Sequence, residues 1–399
     1  MGAHTTLRRR GTSSRTPWIP LYRPVISRAE LAAVTHVLQS GHIGGNGPIG
    51  CHVEQRLSRR LHAKHVRLMT SCTHAFQTGL MALQIGRGDE VIMPSYAYMS
   101  MANAILNVGA RPVFVDVEPA HLTIDPTAAR RAVTRRTKAI LAVHYAGYPC
   151  DMDALLAIKR QYRIALIEDA AQAIGSTYRG RMVGTIGDVG CLSFHETKNI
   201  TCGEGGALVT QRTDIAACAD IIREKGTNRS AFLRGNIPRY EWIAQGDNYV
   251  LSEIQAAILR AQLVKLEAVN VQHGQVGLRY LRALRPLETN GAIRLPGVHP
   301  TNHRIRYNWH LFFLLVQPPW RRDDVIAQLR RDRIQATFHF VALHTTPFGR
   351  QFHDGTPLPH AEAADRQLLR IPIYPGLRIA HQQRVIDALY QVFASRINR

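Results

Sequence analysis

Lysine is scarce in this chain, and one copy stands where chemistry is possible. Of 50 Lys plus Arg only six are lysines: Lys64, Lys138, Lys159, Lys198, Lys225 and Lys265. Lys198 falls in GCLSFHETKNITCGEGGA, residues 190–207, after the apolar strand pattern Cys191 to Phe194 and before a glycine-rich turn and a second strand, Ala207 to Val209. An amine held between two strand ends is taken out of water, which disfavours its charged form and lowers its pKa. The neutral amine can form an imine with an aldehyde; arginine, which does not give up its proton, cannot.

An aldehyde carrier with a phosphate and an aromatic ring nitrogen would need further groups around Lys198. Asp169, in EDAAQ at 168–172, can keep a ring nitrogen protonated, so that the ring acts as an electron sink. Ser71 and Thr73 sit at a strand-to-helix turn where helix N–H groups suit a phosphate, and the Ser193 hydroxyl can join them. Tyr96 can stack on the ring, and Lys198, once displaced, can move a proton. Each residue also has a plainer reading: Asp169 and Ser71 as helix caps, Ser193 as strand filler, Tyr96 as core, His195 as a hydrogen-bonded core histidine.

The elements that must hold these residues read as alternating strand and helix. Strands are expected at Val66 to Met69, Val91 to Met93, Pro112 to Val117, Ala139 to His144 and Ile164 to Ile167, with helical runs between, such as Ala75 to Ile85. That alternation implies a mostly parallel sheet covered by helices, with ligands at the carboxyl ends of the strands. Ser27 to Glu30 forms a capping box opening a helix that Gly41 ends. GHIGGNGP, residues 41–48, reads as a mobile loop, either a connection or a lid. Beyond residue 250 the pattern changes to a long amphipathic helix, Ser252 to Val269, then short elements that include a strand at Thr337 to Val341. The division expected is a basic tail, 1–17, a large domain, 18–250, and a smaller α+β domain, 251–399.

The 399 residues carry a formal charge of +21, which favours anionic partners. Arg8, Arg9, Arg10 and Arg15 mark a disordered basic tail. The other arginines are scattered, and the tail is too short for a DNA-reading module, so nucleic-acid binding is not expected. No run approaches the ~18 apolar residues of a membrane span and no signal peptide is evident, which reads as cytoplasmic. Six cysteines without a C-x-x-C pair argue against a zinc site or a disulfide framework.

EDAAQ (168–172), SFHETKN (193–199) and GEGGALV (203–209) together resemble the DegT/DnrJ/EryC1/StrS family of pyridoxal 5'-phosphate (PLP)-dependent nucleotide-sugar aminotransferases, over the chain from about Ile19 onward. Within it, GDEVIMPSYAYMSMANA (88–104), HYAG (144–147), residues 176–199 and IIREKGTNRSAFLRG (221–235) are most similar to members that aminate dTDP-4-oxo-6-deoxyglucose at C4. The resemblance implies fold type I, with a mostly parallel seven-stranded sheet and a smaller C-terminal domain, a homodimer, and glutamate as amino donor. It implies Lys198 as the imine lysine, Asp169 at the ring nitrogen and Gln172 at the ring hydroxyl. The Ser71-Cys72-Thr73 turn and Ser193 fall at the phosphate, and Tyr96 on the ring. Asn248 would reach the neighbouring subunit's phosphate site, and His339 the sugar nucleotide. His195, Arg229 and Arg234 are further substrate candidates, the arginines because guanidinium matches a diphosphate; a solvated loop is their plainer reading. His74 replaces the usual small residue of the phosphate turn and is expected to point away from it. Other sugar nucleotides, or amination at C3, stay open. A sugar dehydratase on this fold would carry histidine in place of Lys198, and a PLP-binding regulator would rest on the charge alone.

Overall fold

The structure, a computed structural model, describes residues 17–233, 235–298 and 304–394. The arginines of the tail and Arg234 lie outside the described residues. The first strands are β1 (His65–Met69), β2 (Glu90–Pro94), β3 (Arg111–Val115), β4 (Thr137–Val143) and β5 (Ala165–Asp169). A short hairpin, β6 (Thr177–Tyr178) and β7 (Arg181–Met182), precedes β8 (Val189–Ser193) and β9 (Gly206–Thr210). Seven of these form one sheet in the order β1-β9-β8-β5-β4-β2-β3. The pairs β2 with β3, β2 with β4, β4 with β5, and β5 with β8 are parallel, while β9 runs against both β1 and β8. The expected seven-stranded, mostly parallel sheet is therefore present. Every residue of β2, β8 and β9 is buried, as a sheet covered on both faces requires.

This topology decides where a site can form. The carboxyl ends of β1, β2, β4, β5 and β8 share one edge with the start of β9. Three helices of the first third set the entry to it. α1 (Arg28–Ser40) begins with the expected capping box at Ser27 and Glu30 and ends at Gly41 in the left-handed region. α2 (Pro48–Leu61) has its first N–H groups bound by the Glu253 carboxylate, from Ile49 at 2.8 Å and Gly50 at 2.7 Å. The loop 41–48 is thereby tied to the start of the long helix, with Gly45 bridging Ser252. None of its residues lines this chain's cavity at the strand edge. α3 (Cys72–Ala82) follows β1 directly, three residues earlier than expected.

The long helix runs Glu253–Thr289, well past the expected Val269. Its first half buries Ala256, Leu259, Leu263 and Leu266 in the core beneath the large sheet. Its second half buries Val276, Tyr280, Leu281 and Leu284 in a separate core shared with the C-terminal elements. There β10 (Ile293–Arg294) opens the C-terminal strands, and β11 (Ile305–Arg306) joins the β6–β7 hairpin. β12 (Phe312–Val316) and β13 (Leu368–Ile371) complete an antiparallel sheet, β10-β12-β13. Thr337 to Val341 is not the expected strand. Only Thr337 bridges Arg370 and, beyond it, Ala342 bridges Tyr96, so the segment crosses from the small sheet to the edge of the large one. No described helix is long and apolar enough to cross a membrane.

Candidate active site

A cavity of about 480 Å³ opens at the shared strand edge. Ser71, Cys72, Thr73, Asp169, Gln172, Ser193, His195, Lys198 and His339 all line it, so the sheet gathers most of the residues singled out by their types. The gathering follows from topology: Asp169 ends β5, Ser193 ends β8, the α3 turn follows β1, and Gly205 precedes the reversed β9.

Burial pushes the Lys198 amine below its ordinary pKa; Asp169 and Cys72 act against that fall, and Arg370 adds to it. Burial raises the Asp169 carboxyl, against the Ala171 N–H and the Lys198 charge. Its Oδ1 accepts the Ala171 N–H at 3.0 Å, and the Cys72 Sγ lies 4.0 Å away. The adjacent Glu168 faces the other way. Its carboxylate accepts N–H bonds from Gly184 at 2.7 Å and from Ile186 and Gly187 at 2.6 Å, with His144 Nε2 at 3.0 Å. The Cys150 N–H donates to His144 Nδ1 at 3.1 Å, so Nδ1 holds a lone pair and the proton sits on Nε2, toward Glu168. Glu168 thus anchors the 184–187 turn under β5 and β8, and Asp169 is left to the cavity.

At the α3 end, Ser71 caps the helix by accepting the His74 N–H at 3.1 Å. The N–H groups of Cys72 and Thr73 belong to the first turn, which has no intrahelical partners. Gly206 lets this turn approach β9: a Cβ there would lie 2.3 Å from the Ser71 carbonyl carbon and 2.4 Å from the Cys72 nitrogen. His74 turns away as expected, with Nδ1 2.6 Å from Thr70 Oγ1 and its ring stacked on Tyr249 at 4.2 Å. The Ser193 Oγ accepts the His195 N–H at 3.3 Å, and His195 Nδ1 lies 2.9 Å from Thr197 Oγ1. Gln172 Oε1 accepts the Ala146 N–H at 2.6 Å. His339 Nδ1 pairs with the Tyr145 hydroxyl at 2.8 Å, leaving its Nε2 edge for a ligand. Burial, and then the Arg370 and Lys198 charges, hold this imidazole well below its ordinary pKa, so it is neutral.

Several expected residues stand elsewhere. Tyr96 is 1% exposed, packed against Tyr145 and Phe340, and does not line the cavity; Tyr98, two residues on, does. The bridge from Tyr96 to Ala342 holds Tyr96 in the core, and the chain turns into the helix Met99–Asn107 directly after Tyr98. Asn248 is exposed, bridges Glu224 and lies outside this chain's cavity. Arg229 also lies outside it, 3.6 Å from the Glu224 carboxylate. Sequence reasoning missed Tyr98, Ser100, Met101, Glu204, Phe340 and Arg370, which also line the cavity. For Arg370 there was a signal, a lone charge inside the apolar run LLRIPIY.

The donor set fits PLP: first-turn N–H groups and hydroxyls for a phosphate, a buried carboxylate open to the cavity for a ring nitrogen, and a half-buried amine at the cavity for an aldehyde. A model of the DegT/DnrJ/EryC1/StrS aminotransferase family matches residues 24–390. Among solved structures, the aminotransferase from Psychrobacter cryohalolentis is 28% identical with a TM-score of 0.88, covering 95% of this chain and 99% of its own. S. venezuelae DesV, solved in complex with a ketimine intermediate, is 34% identical with a TM-score of 0.85, covering 94% and 99%. Spr1654 from Streptococcus pneumoniae, described as a sugar aminotransferase, is 25% identical in its PLP form, with a TM-score of 0.84 and coverage of 94% and 98%. The same protein was also solved in a PMP form. The chain therefore belongs to the DegT/DnrJ/EryC1/StrS aminotransferase family and is a PLP-dependent aminotransferase.

Proposed function

We propose that this aminotransferase moves the amino group of glutamate to the C4 ketone of dTDP-4-oxo-6-deoxy-D-glucose, giving dTDP-4-amino-4,6-dideoxy-D-galactose for a cell-surface polysaccharide. The observation that carries the chemistry is the convergence of a half-buried lysine, a buried carboxylate and a helix N-terminus on one cavity. The choice of sugar is supported by the sequence matches at 88–104, 176–199 and 221–235, and Spr1654, a structural neighbour, is itself described as a sugar aminotransferase.

When bound, PLP supplies an aldehyde for an imine with Lys198 and a ring that withdraws electrons from the reacting carbon. Asp169 holds a proton on the ring nitrogen, since a buried carboxylate favours a cation beside it. Gln172 stands at the ring hydroxyl, while Ser71, Cys72, Thr73 and Ser193 take the phosphate. Tyr98 replaces Tyr96 as the aromatic on the ring. The Lys198 amine, its basicity lowered by burial, accepts a proton at Nζ from one carbon and returns it to the other. His339 offers its neutral Nε2 edge to a sugar oxygen, with His195 on the same wall.

The large part to residue 250 and the smaller part beyond it would act as two domains around this cavity. The active unit would be a homodimer, with the exposed Asn248 at the partner's phosphate site. Arg229, despite its pairing with Glu224, and Arg234 would meet the diphosphate across that contact.

The test is to incubate the cofactor-loaded protein with glutamate and dTDP-4-oxo-6-deoxyglucose, and to identify the product by mass and by NMR. A 4-amino sugar with the galacto configuration is expected. A product only from a UDP- or GDP-linked sugar, or an amine at C3, would contradict the substrate assignment.

A further inference from the structure

Lys198 lines two cavities. The second is small, about 20 Å³, and lies against the lead-in segment at Leu21 and Tyr22. Two buried histidines line it and not the large one: His273 of the long helix and His310 just ahead of β12. Neither has a part in the transamination so far. At the outer end, exposed Glu196 accepts the Tyr22 hydroxyl at 2.7 Å.

The protons on both rings follow from a chain of buried amides. The Ile174 carbonyl can only accept, so Asn270 turns Nδ2 to it at 3.1 Å and Oδ1 to Asn199 Nδ2 at 2.8 Å. Asn199 Nδ2 also donates to the Asn308 carbonyl at 3.2 Å. Its Oδ1 therefore faces His310 Nδ1, at 2.8 Å, and an amide oxygen only accepts. The His310 proton is thus on Nδ1 and the lone pair on Nε2. His273 has the same tautomer, because its Nδ1–H donates to the Trp309 carbonyl at 2.8 Å. Both rings are neutral. Burial, then the Lys198 and Arg370 charges, hold His310 well below its ordinary pKa, and at His273 burial outweighs the carbonyl bond and brings it to about 4.

Two buried lone pairs beside one small cavity call for a donor. Among the described residues neither Nε2 has a hydrogen-bond partner. A cavity of this volume takes one water, which needs two to four polar partners. A water that donates both hydrogens to the two Nε2 atoms has only its oxygen lone pairs left for Lys198. It can accept an N–H from the amine and can donate nothing to it. An amine held by an N–H on that side points its own lone pair away, toward the large cavity that Asp169 lines.

We propose that His310 and His273 hold one water against Lys198 Nζ, oriented so that it only accepts, and that this water keeps the lone pair of the freed lysine amine turned to the reacting carbons. Both histidines are positioning residues, acting on Lys198 through the water. Only the consequence for turnover rests on the transamination proposed above; the water site and its effect on the amine stand without it.

The test uses substitutions that separate the two nitrogens of His310. H310N keeps an N–H for Asn199 Oδ1 and removes the Nε2 acceptor, whereas H310Q sets an oxygen near the Nε2 position and gives up the Asn199 bond. The first readout is the rate at which cofactor-free protein takes up PLP, followed by absorbance against pH, whose midpoint reports the Lys198 amine. A water that only accepts favours the charged amine, so H310N should lower this midpoint by about one unit, the order of one charge-assisted hydrogen bond. H310Q should keep the wild-type value. The second readout is turnover of glutamate deuterated at its α-carbon. H310N should slow proton transfer about tenfold, part of the ~10²–10⁴ that a positioned base supplies, with a larger isotope effect. The third is a high-resolution crystal structure, in which a water should lie within hydrogen-bond distance of both Nε2 atoms and Lys198 Nζ. Its absence would overturn the proposal. So would an H310N protein that matches wild type while H310Q fails, since His310 would then serve Asn199 alone, and so would equal shifts in the two variants. If neither folds, H273N, which keeps a donor for the Trp309 carbonyl, decides by the same shift. Expected midpoints in a protein that does not respond to glutamate would support the water site and strike the transamination.

Discussion

Glu168 and Asp169 are neighbours on β5 that enter different surroundings, because successive strand residues face opposite ways. Four donors hold Glu168 as a structural carboxylate, while Asp169 has one backbone N–H and an open cavity in front of it. Tyr96 and Tyr98 also part, because Tyr96 is held in the core at its bridge to Ala342 while Tyr98 stands at the cavity just before the helix that starts at Met99. Replacing Tyr98 with alanine should weaken PLP binding by about tenfold, the order of an aromatic stacking contact. Tyr96→Phe should leave the affinity unchanged, and titration of the cofactor-free proteins with PLP measures both. Equal effects at the two positions would reverse the assignment. Lys198, Asp169 and Ser193 could be singled out from residue type and order, since each demand of the chemistry admits few side chains, and Gln172 only from the family resemblance. Tyr98 was not, because either tyrosine satisfies the demand for a flat ring and only the bridge to Ala342 decides between them. Arg370 showed only as a lone charge in an apolar run, because its partners in space come from β12 and the Thr337 crossing, far away in sequence.

At the scale of elements, strand positions could be read because buried parallel strands form short apolar runs. The long helix could not be read to its end. Its apolar face changes partner half-way, from the large sheet to the small one, and polar residues such as Asn270 and His273 are buried at the changeover. His273 donates its Nδ1–H to the Trp309 carbonyl at 2.8 Å. Burial outweighs that bond and lowers its pKa from 6.5 to about 4. The folded chain then binds fewer protons than the unfolded chain between these values. The sign follows: stability is complete above pH 6.5, and falls as pH drops toward 4, by about 1.4 kcal/mol per unit for this group. Replacing His273 with glutamine should flatten urea-derived unfolding free energies against pH by that slope, over that window. An unchanged slope would mean that His273 is protonated in the folded chain. The burial of His310 and His339 acts in the same direction.

For the whole molecule, the fold class was legible because alternating strands and helices allow few arrangements, and a parallel sheet places its ligands at one edge. The crossing of 337–342 was not, since a single pair of bridges leaves no periodic pattern in sequence. It is this crossing that brings His339, Phe340 and, through Thr337, Arg370 to an edge otherwise built by the large sheet. The central claim is that the Lys198 amine at that edge holds the cofactor and exchanges it with an amino donor. The most direct measurement is the absorbance spectrum of purified protein with PLP, before and after glutamate, beside Lys198→Ala. Wild-type protein should show a band near ~410–430 nm that glutamate removes, and the variant should lack that glutamate-sensitive band. A variant that matches the wild type in both the band and its response would contradict the account.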